Sequence, residues 1–479
     1  MIQQVITKAS QLLAMRCAPT GITSSLRPAN TLRVSSNMLN AVLACSLGAS
    51  LLVNTAYADS YVFITNSTAQ PVTVSVKHSG NKGTLTPGSQ WRQEATQIAP
   101  YATARVLAFN RNEGVKNGNT YYFDTEVKTG TQTFVARQQM TGKLIGSSIW
   151  HALQAPQVSA PWQQSRDIYR YQSQWTQQPV TVAMKAEFTG GYDDFYYTIS
   201  NNTRPEPVAP ASELKVLTYN IYALPLVASD IGERLAEIPA YVKGYDVLML
   251  QEAFSSDSPA MLRALQTEYP YQTQILRKPL SGVNVYNGGV VIVSRYPIGR
   301  TDYVVYPDCT GTDCFADKGF IYAEIIKQGQ AYHVVNTHAA SFDTDAARQM
   351  RQAQFRMMQQ HIAARQIPAG DAVLYGGDFN VNKLKFADDY QQMQQNLQAV
   401  VPMSTGYTAS TFDPRVNKYA AKYDTVEYLD YVVWSRLHRQ PTAARNDVRV
   451  PRSTSGALWG KWDLSDHFPV MGQFSFEAR

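Results

Sequence analysis

Cysteine is scarce, with four in 479 residues. That excludes a disulfide-dense scaffold and a zinc site built on several thiolates. Glycine and proline, at 28 and 24, follow no period, so a collagen-like chain is excluded. Charge of one sign is also missing. Of the formal net charge of +6, +4 comes from Lys8, Arg16, Arg27 and Arg33, which stand in an acid-free stretch, 1–58. The remainder carries only +2. A chain so near neutrality gives no general footprint for nucleic acid. Long apolar runs are absent too. The best candidate, 39–53, falls short of the roughly 20 residues a membrane-spanning helix needs.

What is present points to folded, exported protein. Hydrophobic residues make up 44% and aromatics 11%, enough for several cores and incompatible with disorder over most of the chain. The run LNAVLACSLGASLLV at 39–53 follows Arg27 and Arg33 and precedes Ala56-Tyr57-Ala58, a small-x-small pattern. Together these read as a signal peptide cleaved after Ala58, and the expectation is a secreted protein, with the periplasm as a way station. Cys17 and Cys45 fall in this leader. Cys309 and Cys314, in PDCTGTDC, remain and are expected to form a disulfide, with free thiols as the alternative.

Two textures follow the leader. Residues 59–200 alternate with period two (YVFITN, PVTVSVKHS, ATARVLAFN, VTVAMKAEF) between turn clusters, which predicts an all-β, sandwich-like accessory or binding domain. His78 and His151 are isolated there and carry no catalytic pattern. Residues 201–212, NNTRPEPVAPAS, read as a proline-rich linker. From 213 to 479 strands alternate with helices, one starting at Ser258-Pro259 and a longer one over 343–366, which predicts an α/β layered domain.

The chemistry lies where those strands end. Apolar runs stop at Asn220, at Gln251-Glu252, at Asn336-Thr337-His338 and at Asp378-Phe379-Asn380. Asp430 stands between aromatics, and Asp466-His467 precede the last strand. One such ending is a turn or a cap. Six in one domain are buried polar groups that need partners, and they find them by converging. Oxygen ligands without cysteine suit a hard cation such as Mg²⁺. Glu252 with Asn220 would hold it, His467 beside Asp430 or Asp466 would serve as general base, and Asp378, Asn380 and His338 would flank a phosphate. Asp378 is a rival for the base.

The ordered set YN, QE, NTH, GGDFN, LDY and SDH resembles the endonuclease/exonuclease/phosphatase superfamily. Within it, TYNIYALP at 218–225, GGVVIVSRYPI at 288–298 and DKGFIYAEI at 317–325 are most similar to the bacterial neutral sphingomyelinases. The resemblance implies a four-layer α/β sandwich over 213–479 and Mg²⁺-dependent hydrolysis of sphingomyelin to ceramide and phosphocholine, with Mn²⁺ or Co²⁺ as other metals. It also implies Glu252 as the main metal ligand, with Asn220 nearby. His467 becomes the base, with Asp378, Asn380 and His338 completing the phosphate site. Lys318 is a candidate phosphate or switch contact, with a solvated loop cation as the alternative. Trp459 and Trp462, just before Asp466-His467, stand where such enzymes carry an aromatic hairpin, and they are expected to dock a monomeric protein on choline-phospholipid membranes, with packing into the core as the alternative. Two other readings keep the same motifs: a secreted nuclease, and a membrane-binding toxin whose catalytic half is idle.

Overall fold

The computed structural model describes residues 59–175, 178–201, 205–278 and 284–478. The leader, with its cleavage site, Cys17 and Cys45, lies outside the described residues, as do linker residues 202–204. Residues 57–479 form one compact unit.

Its first part, up to Asn201, holds two six-stranded sheets. One hydrophobic cluster draws on both: Val62, Ile64 and Val182 from one sheet, Val74, Phe123 and Phe134 from the other. The alternating sequence is the cause, because every second side chain of Thr120–Thr129 and Gln132–Gly142 is buried. His78 is structural. Its Nε2 accepts from the Leu85 amide (2.8 Å), and its ring stacks on Phe123.

The rest is an α/β fold, mostly sheet, with four α-helices among the described residues. A seven-stranded sheet places Glu213–Asn220 between Val247–Gln251, parallel to it, and Val470–Ser475, antiparallel. A six-stranded sheet places Gln330–His338, Ala372–Asp378 and Asp430–Ser435 side by side. Leu214 and Val216 share a cluster with Ile321, Val334 and Leu374 of the other sheet. Leu217 and Tyr219, on the opposite face of the same strand, pack with Leu235 and Ile238 of helix Ile231–Tyr241. Val335 and Tyr375 of the second sheet pack on Phe355, Met358 and Ile362 of helix Asp345–Ala364.

Both expected helices form, with adjusted ends. The shorter spans Ser258–Leu265, so its cap is Asp257, one residue earlier than Ser258. The longer begins after Thr344, whose hydroxyl accepts from the Ala347 amide (3.2 Å). Among the described residues no helix is long and apolar enough to cross a membrane.

Candidate active site

Sheet register does the converging. Asn220 lies opposite Gln251, His338 opposite Asp378, and Asp378 opposite Asp430. Glu252 follows its strand at φ 59° and Asn380 follows Asp378 at φ 54°, left-handed turns that swing each side chain off the sheet. Asn220 then bridges the two sheets. Its Nδ2 donates to Glu252 Oε1 (3.1 Å) and to Asp378 Oδ2 (3.0 Å). The Asn380 amide donates to Asp378 Oδ1 (3.0 Å).

His467 sits between the acids. Its Nδ1 is 2.9 Å from Asp430 Oδ2, and its Nε2 is 3.8 Å from Asp378 Oδ2. The structure thus separates two residues that the sequence left equivalent: Asp430 pairs with the imidazole, while Asp466 Oδ1 lies 3.4 Å from Ser465 Oγ. Burial alone would lower the His467 pKa, but Asp430, Asp378 and Asp466 outweigh it and hold the ring well above its ordinary value. His338 goes the other way. Burial, then Lys318 and His467, keep it well below the usual range, so its 3.6 Å approach to Asp378 joins a neutral ring to a carboxylate.

Burial, with Asp466 and Asp378 adding, pushes Glu252 up to about 7. Burial and Asp430 push Asp378 up to about 6 against the opposing His467, and burial raises Asp466. Four carboxylates around one imidazole are short of positive charge. Glu252 Oε2 is buried with no hydrogen-bond partner among the described residues. Ligand atoms of Asp378, Asp430 and His467 lie within 4.8 Å of one another. Buried, unpartnered and clustered carboxylate oxygens fit a hard divalent cation.

Lys318 is no solvated loop cation. It is only 7% exposed, pairs with Asp313 Oδ1 (2.8 Å), and donates to Ser341 Oγ (2.7 Å) and to the Ala339 carbonyl (3.0 Å). Its Nζ is 3.3 Å from His338 Nε2. Asp313 lies inside the loop closed by the Cys309–Cys314 disulfide, which forms as expected.

The tryptophan expectation needs correcting. Trp462 is 4% exposed, its backbone is left-handed (φ 63°), and its ring meets Trp459 edge-on at 4.9 Å. A ring enclosed this way offers lipid no surface. Trp459 is half-buried.

Three supports escaped the sequence reading. Arg234, fully buried, donates to the carbonyls of Ser229, Ile221, Tyr222 and Leu464. Ser465 Oγ donates to the Asn220 carbonyl (2.6 Å) and accepts from the His467 amide (3.2 Å). Asp313 holds Lys318. Only the serine had a local signal, its place beside Asp466-His467.

Residues 217–467 match the Endonuclease/Exonuclease/phosphatase family. The chain belongs to that family. It is 33% identical to a sphingomyelinase C of Bacillus cereus over 298 positions, covering 55% of this chain and 89% of that one. Two solved structures resemble it at 31% identity and a TM-score of 0.51. A mutant beta toxin from Staphylococcus aureus with bound magnesium ions is covered to 99% by 55% of this chain, and sphingomyelinase C from Streptomyces griseocarneus to 100% by 56%. With these likenesses the chain is a phosphoric diester hydrolase, and its site one for a divalent metal.

Proposed function

We propose that this protein is a secreted, Mg²⁺-dependent sphingomyelin phosphodiesterase that releases phosphocholine and leaves ceramide. The observation that carries the reading is the dyad: His467 Nδ1 is fixed by Asp430 (2.9 Å), so Nε2 faces the acids of the site. Nε2 takes a proton from water as its oxygen bonds phosphorus, the P–O bond to ceramide breaks in line, and the departing oxygen takes a proton from solvent while the imidazolium gives its own back to solvent. Asp430 holds the tautomer and stabilises the imidazolium that forms. His338, kept neutral, donates toward the charge developing on the phosphate, with Asn380 and Lys318 beside it. Glu252 and Asn220, with Asp378 near, would hold the cation. When bound, it supplies charge for the phosphate oxygens and offsets the carboxylates that otherwise keep His467 protonated.

We read helices, sheet, sheet and helices over 213–479 as the four-layer sandwich, and 59–200 as an all-β accessory domain joined to it through 201–212. The leader directs export, and N-terminal sequencing of the exported protein should begin at Asp59. Docking on the bilayer falls to other side chains than Trp462. Leu226 (97% exposed), Phe342 and Leu384 stand exposed on the segments that follow Asn220, His338 and Asn380 in the chain, and exposed Phe315 precedes Lys318 by three residues. Phe342 does so on a left-handed backbone (φ 74°) beside Gly311 of the disulfide loop. Exposed apolar side chains on segments that leave the site strands suit docking on a bilayer.

The test is parallel assay with Mg²⁺ on sphingomyelin vesicles, phosphatidylcholine vesicles and plasmid DNA, with EDTA and His467→Ala as controls. Phosphocholine release from sphingomyelin, abolished by both controls, is expected. DNA nicking without lipid hydrolysis would overturn the substrate.

A further inference from the structure

The general base sits on a short loop, 463–467, rather than on a strand. Such a loop keeps its geometry only if it is tied. Arg234 Nη1 donates to the Leu464 carbonyl (2.9 Å), Asn417 Nδ2 to the Ser465 carbonyl (2.8 Å), and Ser465 Oγ to the Asn220 carbonyl (2.6 Å). All these ties arise within the part of the chain that matches the family.

One further support reaches beyond it. Asp463 accepts from Arg452 Nε (3.0 Å), and both side chains are buried. The same guanidinium reaches into the N-terminal sheets, where its Nη1 donates to the Tyr101 carbonyl (2.8 Å) and to Ser67 Oγ (3.3 Å). Its Nη2 donates to the Val416 carbonyl (2.6 Å). Tyr101 reaches the loop again by a second route. Its ring meets Tyr407 edge-on at 5.4 Å, and Tyr407 meets Phe468, the residue after His467, edge-on at 5.5 Å. Tyr101 holds a left-handed backbone (φ 59°) although it is not glycine, a conformation that persists only where the surroundings fix it. Here those surroundings are the two routes.

We propose that Tyr101 is a positioning residue for His467, and that the N-terminal sheets brace the base loop through it. The carbonyl of Tyr101 sets Arg452, which sets Asp463. Its ring sets Tyr407, which sets Phe468. The loop is therefore gripped on both sides of His467, and the N-terminal half takes part in catalysis without touching substrate. This rests on His467 acting as the base in the function proposed above.

Four proteins test it as full chains with Mg²⁺: parent, Tyr101→Gly, Tyr101→Phe and Arg452→Met. Glycine suits the left-handed backbone and keeps the carbonyl, so what is lost is the ring, with its contacts to Tyr407 and to the Arg452 guanidinium 5.5 Å above it. Phenylalanine keeps the ring. The substrate is bis(p-nitrophenyl) phosphate, which needs no bilayer. Because small misplacements of a catalytic group cost up to about a hundredfold, Tyr101→Gly and Arg452→Met should lower kcat by about ten- to a hundredfold with KM unchanged. These losses should appear at temperatures where each variant is fully folded. Tyr101→Phe should restore kcat. Tryptophan emission, to which Trp459 and Trp462 in the segment leading to the loop contribute among seven tryptophans, should shift in the two impaired variants. A Tyr101→Gly protein with parental kcat and emission would overturn the brace, as would a loss that Tyr101→Phe shares. If the parent cleaves no phosphodiester, the functional reading fails, and the tryptophan emission still decides whether Tyr101 fixes the loop.

Discussion

A carboxylate moved from water into a protein interior takes up a proton unless positive charge meets it. Glu252 and Asp378 are raised in that way, while His467 is raised because acids surround it. The two kinds of group should therefore fail differently. His467→Ala removes the proton acceptor and should lower turnover by about 10²–10⁴-fold, while leaving Glu252, Asn220 and Asp378 in place. Its melting temperature should still rise on adding Mg²⁺. Glu252→Gln should lose both turnover and that rise, because an amide replaces the buried oxygen that has no hydrogen-bond partner among the described residues. Thermal melts with and without Mg²⁺, beside single-turnover assays, separate the roles. A Glu252→Gln protein that Mg²⁺ still stabilises as well as the parent would remove Glu252 from the metal site.

Strand ends were legible in the sequence for a physical reason. An apolar run that stops at Asn220, His338 or Asp378 leaves a polar group where no water reaches, and register then brings those ends together. Pairing Asp430 rather than Asp466 with His467 was not legible, since both lie close to the last strands and only the turn after Asp463 decides which carboxylate points at the ring. Loops were illegible for the same reason. Trp462 turns inward through a left-handed backbone, and nothing in its neighbours' composition announces that turn. The difference can be measured. Trp462→Ala should cost about 3–5 kcal/mol of stability, as for a buried aromatic, and depress vesicle and soluble substrates alike. Phe342→Ser should instead lower the ratio of vesicle to soluble turnover. A fall in that ratio for Trp462→Ala alone would return docking to the tryptophan. The disulfide loop gives a third case. Replacing Cys309 and Cys314 with serine reopens a short loop and should cost about 2 kcal/mol, read as a lower denaturation midpoint. Turnover should fall too, because Asp313 then holds Lys318 less firmly.

At the scale of the whole molecule, protons and a divalent cation compete for the same buried oxygens. Without metal, Glu252 titrates at about 7 and Asp378 at about 6, against roughly 4 for both in an unfolded chain. Between those values the folded chain holds protons that the unfolded chain has released. Its stability therefore falls as pH rises through this window. His467 acts in the same direction at higher pH, since its folded pKa lies above the unfolded one and its contribution is lost as pH passes the folded value. His338 opposes them. Held neutral by the fold, it costs stability below about pH 6.5 and ceases to cost it above. A cation at the carboxylates reverses the dominant trend, because it replaces the departing protons with fixed positive charge. The rise in melting temperature given by a fixed Mg²⁺ concentration should thus be small near about pH 5, grow through about pH 6 and 7 as Asp378 and Glu252 ionise, and level off above that. Melts across this range, with Glu252→Gln as the comparison, measure it directly. An increment independent of pH in the parent would place the cation away from Glu252 and Asp378 and leave those acids neutralised by protons alone.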